Sequence, residues 1–344
     1  MLSQADVAKK AGVSVMTVSR VVNGRSNVRK DTRERVLQAI RELSYYPNAA
    51  ARALHHNRTN VIEVAIPHRD YFYSSEYFSE LIFSIEAVAG RRRYNVIFTT
   101  YDPAGAEDHG SLYRQRKVDG LLIVAPPMGD ERVTRLCDER IPLVLVNSRR
   151  DDLPLSYVDV DNQRGAALAV DHLVGLGHTR IAMITGGTKT TNAVHRRQGY
   201  LDGLSRAGLP VREQWIVQGN WSEDSGYAGL QTLLAQEDRP SALFCANDLM
   251  AVGAMRAAAD NSVSIPRDMS IVGFDDIRLS SFVNPRLTTV RQPIEQTGHA
   301  AARILLDRLE NPRSQPERII LEPRMVVRAS CGACSVNPGD HTEK

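Results

Sequence analysis

The chain has 344 residues, 42 % of them hydrophobic and 24 % charged, a globular profile with length for two or three domains. No apolar run reaches the ~18 residues of a membrane span, Met1–Lys10 has no apolar core of the secretory kind, and Cys137, Cys245, Cys331 and Cys334 are too scattered for a disulfide framework. Cytoplasm is the expected compartment, with no membrane partner. The net charge of +3 is unevenly spread: residues 1–60 carry 11 Lys/Arg against four Asp/Glu, or +7, and the remainder carries 32 against 36, or −4. That split points to a small polyanion-binding head on an acidic body and argues against a single-domain enzyme.

The head shows helical patterns and no strand pattern. Ala5, Val7, Ala8 and Ala11 form a small apolar face that Gly12 ends. Ser14 is placed to cap a second helix carrying Val15, Val18, Val21 and Val22, which Asn23-Gly24 closes. A third starts at Asp31, with Val36, Leu37, Ile40 and Leu43 at helical spacing. Two short helices around a tight turn read as helix-turn-helix; a plain three-helix bundle is the alternative that the pattern leaves open.

Asp6-Val7-Ala8, Ala11-Gly12-Val13-Ser14 and Thr17-Val18-Ser19-Arg20-Val21-Val22-Asn23 resemble the headpiece of the LacI/GalR family of bacterial transcription regulators. The likeness continues through Thr32-Arg33, Tyr46-Pro47-Asn48 and Ala51-Arg52-Ala53-Leu54. Gln4 departs from it at a position usually apolar, where Leu2 would supply the packing. A recognition helix lays its N-terminal residues against base edges in the major groove. Those residues here are Val15 and Met16, suited to a thymine methyl, and Arg20, whose bidentate pairing with a guanine discriminates by about 1–3 kcal/mol. Core packing is the competing reading of Val15 and Met16, although Val18 is better placed for it. Ser14, Thr17, Ser19, Asn23 and Arg29 are expected on phosphates, positioning the head without reading sequence.

Residues 48–55, Asn-Ala-Ala-Ala-Arg-Ala-Leu-His, favour helix but fall below the ~12–15 residues at which an isolated helix persists in water. Composition alone leaves a plain linker equally open. Asn48 can cap this segment; the resemblance implies a hinge helix that forms on operator DNA beside its twin, with Asn48, Ala51 and Leu54 as DNA-binding residues, small alanines such as Ala51 letting the twins approach and Leu54 wedged into the minor groove.

From residue 60 short apolar runs alternate with helical stretches. Candidate strands are Val61–Ile66, Asn95–Thr99, Gly120–Ala125, Pro142–Val146 and Tyr157–Val160, then Arg180–Thr185, Trp215–Gln218, Ala242–Cys245 and Ser270–Phe274. Two such series predict two doubly wound parallel sheets, hence two lobes with a crevice between them, and Leu287–Val290 is expected to return the chain to the first. The expected fold is an all-α helix-turn-helix DNA-binding headpiece (1–46), a hinge and linker (47–59), and an α/β two-lobed effector domain (60–328). Its first lobe spans about 60–160 plus 290–323 and its second about 162–288; a flexible tail (329–344) follows. Gly177-His178-Thr179-Arg180-Ile181-Ala182 and Val272-Gly273-Phe274-Asp275-Asp276 add to the resemblance, which implies a periplasmic-binding-protein-like effector domain.

Parallel sheets bind ligands beyond their strands' carboxyl ends. That rule nominates Arg196 and Arg197, Trp221, Asn247 and Asp248, and Asp275: a cation, an aromatic face, an amide and a carboxylate, which suit a polyhydroxylated ring. The resemblance implies Arg196, Asn247 and Asp275 as sugar-hydroxyl ligands, Trp221 as the platform, and Tyr77 and Phe78 at the mouth, with Asn147 and Asp161 as further candidates. Against these stand simpler readings: Asn247 or Asp248 as a helix cap, Asp276 as a surface acid, Tyr77 and Phe78 as core.

Other signals fail. Gly186-Gly187-Thr188-Lys189-Thr190 lacks phosphate-loop spacing, His172 and His178 lack further ligands at zinc spacing, and Cys331-Gly332-Ala333-Cys334 is a single pair. No catalytic constellation, metal site or cofactor is called for. The expected function is a homodimeric repressor of a near-palindromic operator on double-stranded DNA, controlled by a sugar or oligosaccharide effector; a purine- or nucleoside-responsive regulator is the alternative. The tail has no leucine heptad for a tetramerising coil.

Overall fold

The computed structural model describes residues 2–22, 27–45, 58–67, 76–103, 105 and 108–334. The expected DNA contacts Asn23, Asn48, Ala51 and Leu54, and the hinge helix itself, lie outside those residues.

In the head, α1 (Gln4–Ala11) starts at Ser3, whose Oγ accepts from Asp6 N at 3.4 Å while Asp6 Oδ2 accepts from Ser3 N at 2.8 Å. This reciprocal cap satisfies two donors that have no partner inside the helix. Gly12 ends it at φ 65°, a left-handed turn that costs glycine little. Ser14 caps α2 (Val15–Val22) as expected, accepting from Thr17 N at 3.2 Å. The third helix, α3 (Lys30–Glu42), begins one residue early, at Lys30, so Asp31 sits in the first turn and does not cap. Val7, Ala8, Ala11, Val18, Val21, Val36, Ala39 and Tyr45 form the core. Leu2 is 47 % exposed and does not compensate for Gln4; Leu37, expected inside, is 39 % exposed, because α3 turns Val36 and Ala39 inward.

The body's first lobe contains β1 (Val61–Pro67), α4 (Glu76–Arg91), β2 (Asn95–Tyr101), α5 (Ser111–Arg114), β3 (Gly120–Val124), α6 (Glu131–Asp138), β4 (Leu143–Val146) and β5 (Ser156–Val160). The second contains α7 (Asn162–Gly175), β6 (Ile181–Thr185), α8 (Thr191–Arg206), β7 (Ile216–Gln218), α9 (Glu223–Leu234), β8 (Ala242–Cys245), α10 (Asp248–Asp260), β9 (Ser270–Asp275) and β10 (Thr288–Arg291). Then α11 (Ile294–Glu310) and β11 (Arg318–Leu321) return to the first lobe, and β12 (Arg324–Val326) goes back to the second. The sheets run β11-β5-β4-β3-β1-β2 and β12-β10-β9-β8-β6-β7, parallel except for β12. The two expected doubly wound sheets are therefore present, and the chain crosses between them near residues 161, 292 and 322.

Two expectations need correction. Leu287–Val290 does not return the chain: Thr288–Arg291 pairs with β9 in the second sheet, and α11 makes the crossing by burying Ile294, Ala301, Ala302, Leu305 and Leu306 in the first core. A strand of four residues, Thr-Thr-Val-Arg, contains nothing that names its neighbour. Nor is the start of the expected flexible tail loose. Ile271 N donates to Ser330 O at 2.9 Å, Gly332 N to Ser270 Oγ at 3.1 Å and Cys334 N to Leu176 O at 2.9 Å, while His178 bonds Ser241 and Ser270 at 2.9 Å each. This strap is held by polar bonds, which hydropathy does not register.

Candidate functional site

A cleft lies between the lobes at the strands' carboxyl ends, about 530 Å³ when the space open to solvent at its mouth is counted, and is lined by Pro67, Tyr77, Phe78, Ala125, Asn147, Thr190, Asn192, Arg196, Trp221, Asn247, Asp275 and Gln292. Its lobes meet through Met128 N donating to Lys189 O at 2.8 Å and Leu279 N donating to Glu76 Oε2 at 2.9 Å.

Arg196 sits on α8, 3 % exposed. Its Nε donates to Asn162 Oδ1 at 2.8 Å, and its Nη1 donates to Ala246 O and to Asp275 Oδ1, the latter at 3.4 Å. The guanidinium lies 3.7 Å from the Phe274 ring centre and 5.4 Å from that of Trp221. One turn along, Gly199 lets α8 approach α7: a Cβ there would meet Gln163 O at 2.0 Å. Trp221 rests on Gly186 in the same way, since a Cβ on Gly186 would fall 2.1 Å from the indole. Asp275 Oδ1 also accepts from Gln292 Nε2 at 2.5 Å. Burial pushes the Asp275 carboxyl up to about 6, against the pull of Arg196 and then Gln292. Burial likewise lowers the Arg196 guanidinium, with the Asp275 charge opposing it.

Ala125, Asn147, Trp221 and Asp275 all hold positive φ, at 47°, 56°, 77° and 116°. Left-handed backbone at non-glycine residues costs of order 1–3 kcal/mol each and concentrates at functional sites.

Seven of the eight sequence-nominated effector residues line the cleft: Tyr77, Phe78, Asn147, Arg196, Trp221, Asn247 and Asp275. Asp161 does not; it caps α7, accepting from Arg164 N at 3.0 Å. Asn247 fits both readings it was given, since its Oδ1 accepts from Met250 N at 2.9 Å as a cap, its Nδ2 donates to Trp221 O at 2.9 Å, and it still borders the cleft. Asn147 Nδ2 donates to Tyr77 Oη at 2.6 Å and leaves its buried Oδ1 without a partner. Arg197 pairs with Glu213 at 3.5 Å away from the cleft, Asp248 is buried against Thr289 and Ile277, and Asp276 is held by Arg291 and Arg328. Sequence reasoning missed Thr190, Asn192 and Gln292. The strand-end rule reaches the first two, in the loop and helix start after β6, but Gln292 requires knowing where the chain crosses.

In the head, Val15 is 47 % exposed, Met16 62 % and Arg20 exposed on one side of α2, while Val18 and Val21 face the core. The core reading of Val15 and Met16 is therefore wrong. Ser14 and Arg29 are also exposed, and Thr17 and Ser19 partly so. Among the described residues no helix is long and apolar enough to cross a membrane, and no cluster of His, Cys, Asp and Glu could hold a metal.

The model of bacterial regulatory proteins of the lacI family matches residues 5–48, and that of a periplasmic binding protein-like domain matches 170–331. The HTH-type transcriptional repressor PurR of Erwinia tasmaniensis is 36 % identical over 334 residues, 96 % of this chain and 97 % of that protein. The chain belongs to the lacI family. It is a DNA-binding transcription regulator. Solved structures agree: the lac repressor dimer bound to operator and an anti-inducer is 30 % identical with a TM-score of 0.87, covering 96 % of this chain and 99 % of that one. The transcriptional regulator CelR in complex with cellobiose is 31 % identical with a TM-score of 0.75, covering 96 % and 100 %.

Proposed function

We propose that this lacI-family repressor acts in the cytoplasm as a homodimer on a near-palindromic operator, and that a sugar or oligosaccharide in the interlobe cleft sets its operator affinity. The observation that carries the effector class is the cleft's composition. Thr190, Asn192, Asn147, Asn247, Gln292, Asp275 and Arg196 place seven polar side chains around apolar aromatic faces, that of Trp221 in the second lobe and those of Tyr77 and Phe78 in the first. A pyranose has that shape: many hydroxyls at its rim and one face of C–H groups. The sugar-bound relative CelR supports the same class.

In the head, Val15, Met16 and Arg20 would read base edges while Ser14, Thr17, Ser19, Asn23 and Arg29 hold phosphates. Asn48, Ala51 and Leu54 would form the hinge helix. Effector binding rearranges the Arg196–Asp275–Gln292 contacts at the crossover, and the changed lobe geometry alters whether two marginal hinge helices fold together on DNA.

A second reading, a purine or nucleoside effector, is favoured by the 36 % identity to PurR and by Phe78 and Trp221, which enter the cleft from opposite lobes. A thermal-shift panel of mono- and disaccharides against purine bases and nucleosides separates the two. Ligand at 100 times Kd stabilises the native state by about 2.7 kcal/mol. A sugar raising the melting temperature at micromolar concentration is expected; a response confined to purines would overturn the effector class.

A further inference from the structure

We infer that Asn162 is a positioning residue that aims Arg196 at the cleft and ties its position to the first lobe; this rests on Arg196 being an effector contact. Asn162 is 1 % exposed and opens α7 directly after the crossover at Asp161. Its Oδ1 accepts from Arg196 Nε at 2.8 Å, while its Nδ2 donates to Val160 O at 3.0 Å and to Asp159 Oδ1 at 3.2 Å. Asp159, fully buried on β5, accepts at Oδ2 from Arg149 Nε at 2.6 Å. Arg149 Nη2 also donates to Val160 O at 2.9 Å.

A continuous chain, buried from Asp159 onward, thus runs Arg149–Asp159–Asn162–Arg196–Asp275–Gln292, from the first lobe into the second and back to the next crossover. The amide can face only one way. Reversed, its NH₂ would oppose the Arg196 Nε–H, and its oxygen would oppose the Asp159 carboxylate and the Val160 carbonyl. No carboxylate, hydroxyl or alkyl group of similar length can accept from Arg196 and donate twice toward the first lobe. With Nε fixed, the guanidinium has its Nη side toward Asp275 and the cleft, and any shift of Asp159 relative to α8 must move or break the Asn162 bonds. Buried networks of this kind are rigid only while every member is satisfied.

The test needs no effector. In the full chain, the Arg196 Nε–Hε resonance is identified by its loss in Arg196→Lys. Asn162→Ala is expected to move that resonance and speed its solvent exchange at least tenfold. Asp159→Asn is expected to move it in the otherwise native chain and not in the Asn162→Ala background. An unmoved resonance in Asn162→Ala, or an Asp159→Asn shift that survives there, would overturn the inference. If Asn162→Ala does not fold, Asn162→Ser replaces it with the same two outcomes. The sugar and purine panel then keeps the two readings apart. Should Arg196→Lys leave binding of every stabilising compound unchanged, the pocket assignment fails and the Asp159–Arg196 coupling still stands on the resonance data. Should Arg196→Lys abolish binding while Asn162→Ala weakens it less than threefold, the positioning role fails and the pocket stands.

Discussion

The headpiece and the cleft use side chains in opposite ways. In the head, seven Ala and Val residues and Tyr45 form the core, and the groups suited to recognition, Val15, Met16 and Arg20, stand exposed on α2. In the cleft, the recognising groups are themselves nearly buried: Arg196 is 3 % exposed, Trp221 6 %, Asn247 6 % and Asp275 8 %. A partner as large as a DNA duplex is met by an outward surface and long-range charge, which salt screens. A small molecule is met by groups already desolvated and oriented, at a cost in backbone strain and buried charge. Substitutions in the two places should therefore fail differently.

The largest difference is expected from removing residues 1–57. DNA retention should fall to background while the thermal-shift response to the active compound persists; loss of both would mean that head and body are not separable. Next is Arg196→Met. It should abolish the effector response and, by removing the partner of buried Asp275, lower stability in urea by about 3–5 kcal/mol, while the folded fraction still binds DNA. Arg20→Ala should cost about 1–3 kcal/mol for the specific site and little for random DNA. Arg29→Ala should weaken all sequences alike and reduce the salt slope by about one, read from titrations at several salt concentrations.

The smallest effect is a pH dependence. The Asp275 carboxyl is raised to about 6, so the native state binds this proton more tightly than the unfolded chain, whose ordinary value is 3.8. Its stabilising contribution is present below pH 4 and is lost as pH rises through 6. Ligand-free protein should therefore gain stability on acidification across that window relative to Asp275→Asn, and equal melting profiles for the two would refute it.

How much was legible in sequence follows the same division. The helix caps at Gly12 and Ser14, and the exposed start of α2, are local events written in a few consecutive residues. The nine strands anticipated in two series are apolar runs too short to be anything else. Beyond them, β10 was assigned to the wrong lobe, and the short β11 and β12, flanked by Pro316 and Pro323, gave no pattern at all. Arg196, Trp221, Asn247 and Asp275 were reachable because each follows a strand end, or through the resemblance. Asp161 follows a strand end as well, yet its carboxylate is spent on α7. Gln292 and Asn162 were invisible because their roles depend on where the chain crosses between lobes. The positive φ of Trp221 falls on a bulky residue that does not favour it, so nothing in the local sequence announces it.

The central claim is that occupancy of the cleft sets what the headpiece does. The direct measurement is the affinity of the intact dimer for a near-palindromic duplex selected from random DNA, titrated with the compound that stabilises the protein in the sugar panel. At least a tenfold change in the native chain and none in Arg196→Met is expected. The same affinity with and without the compound, or an equal change in both chains, would contradict it.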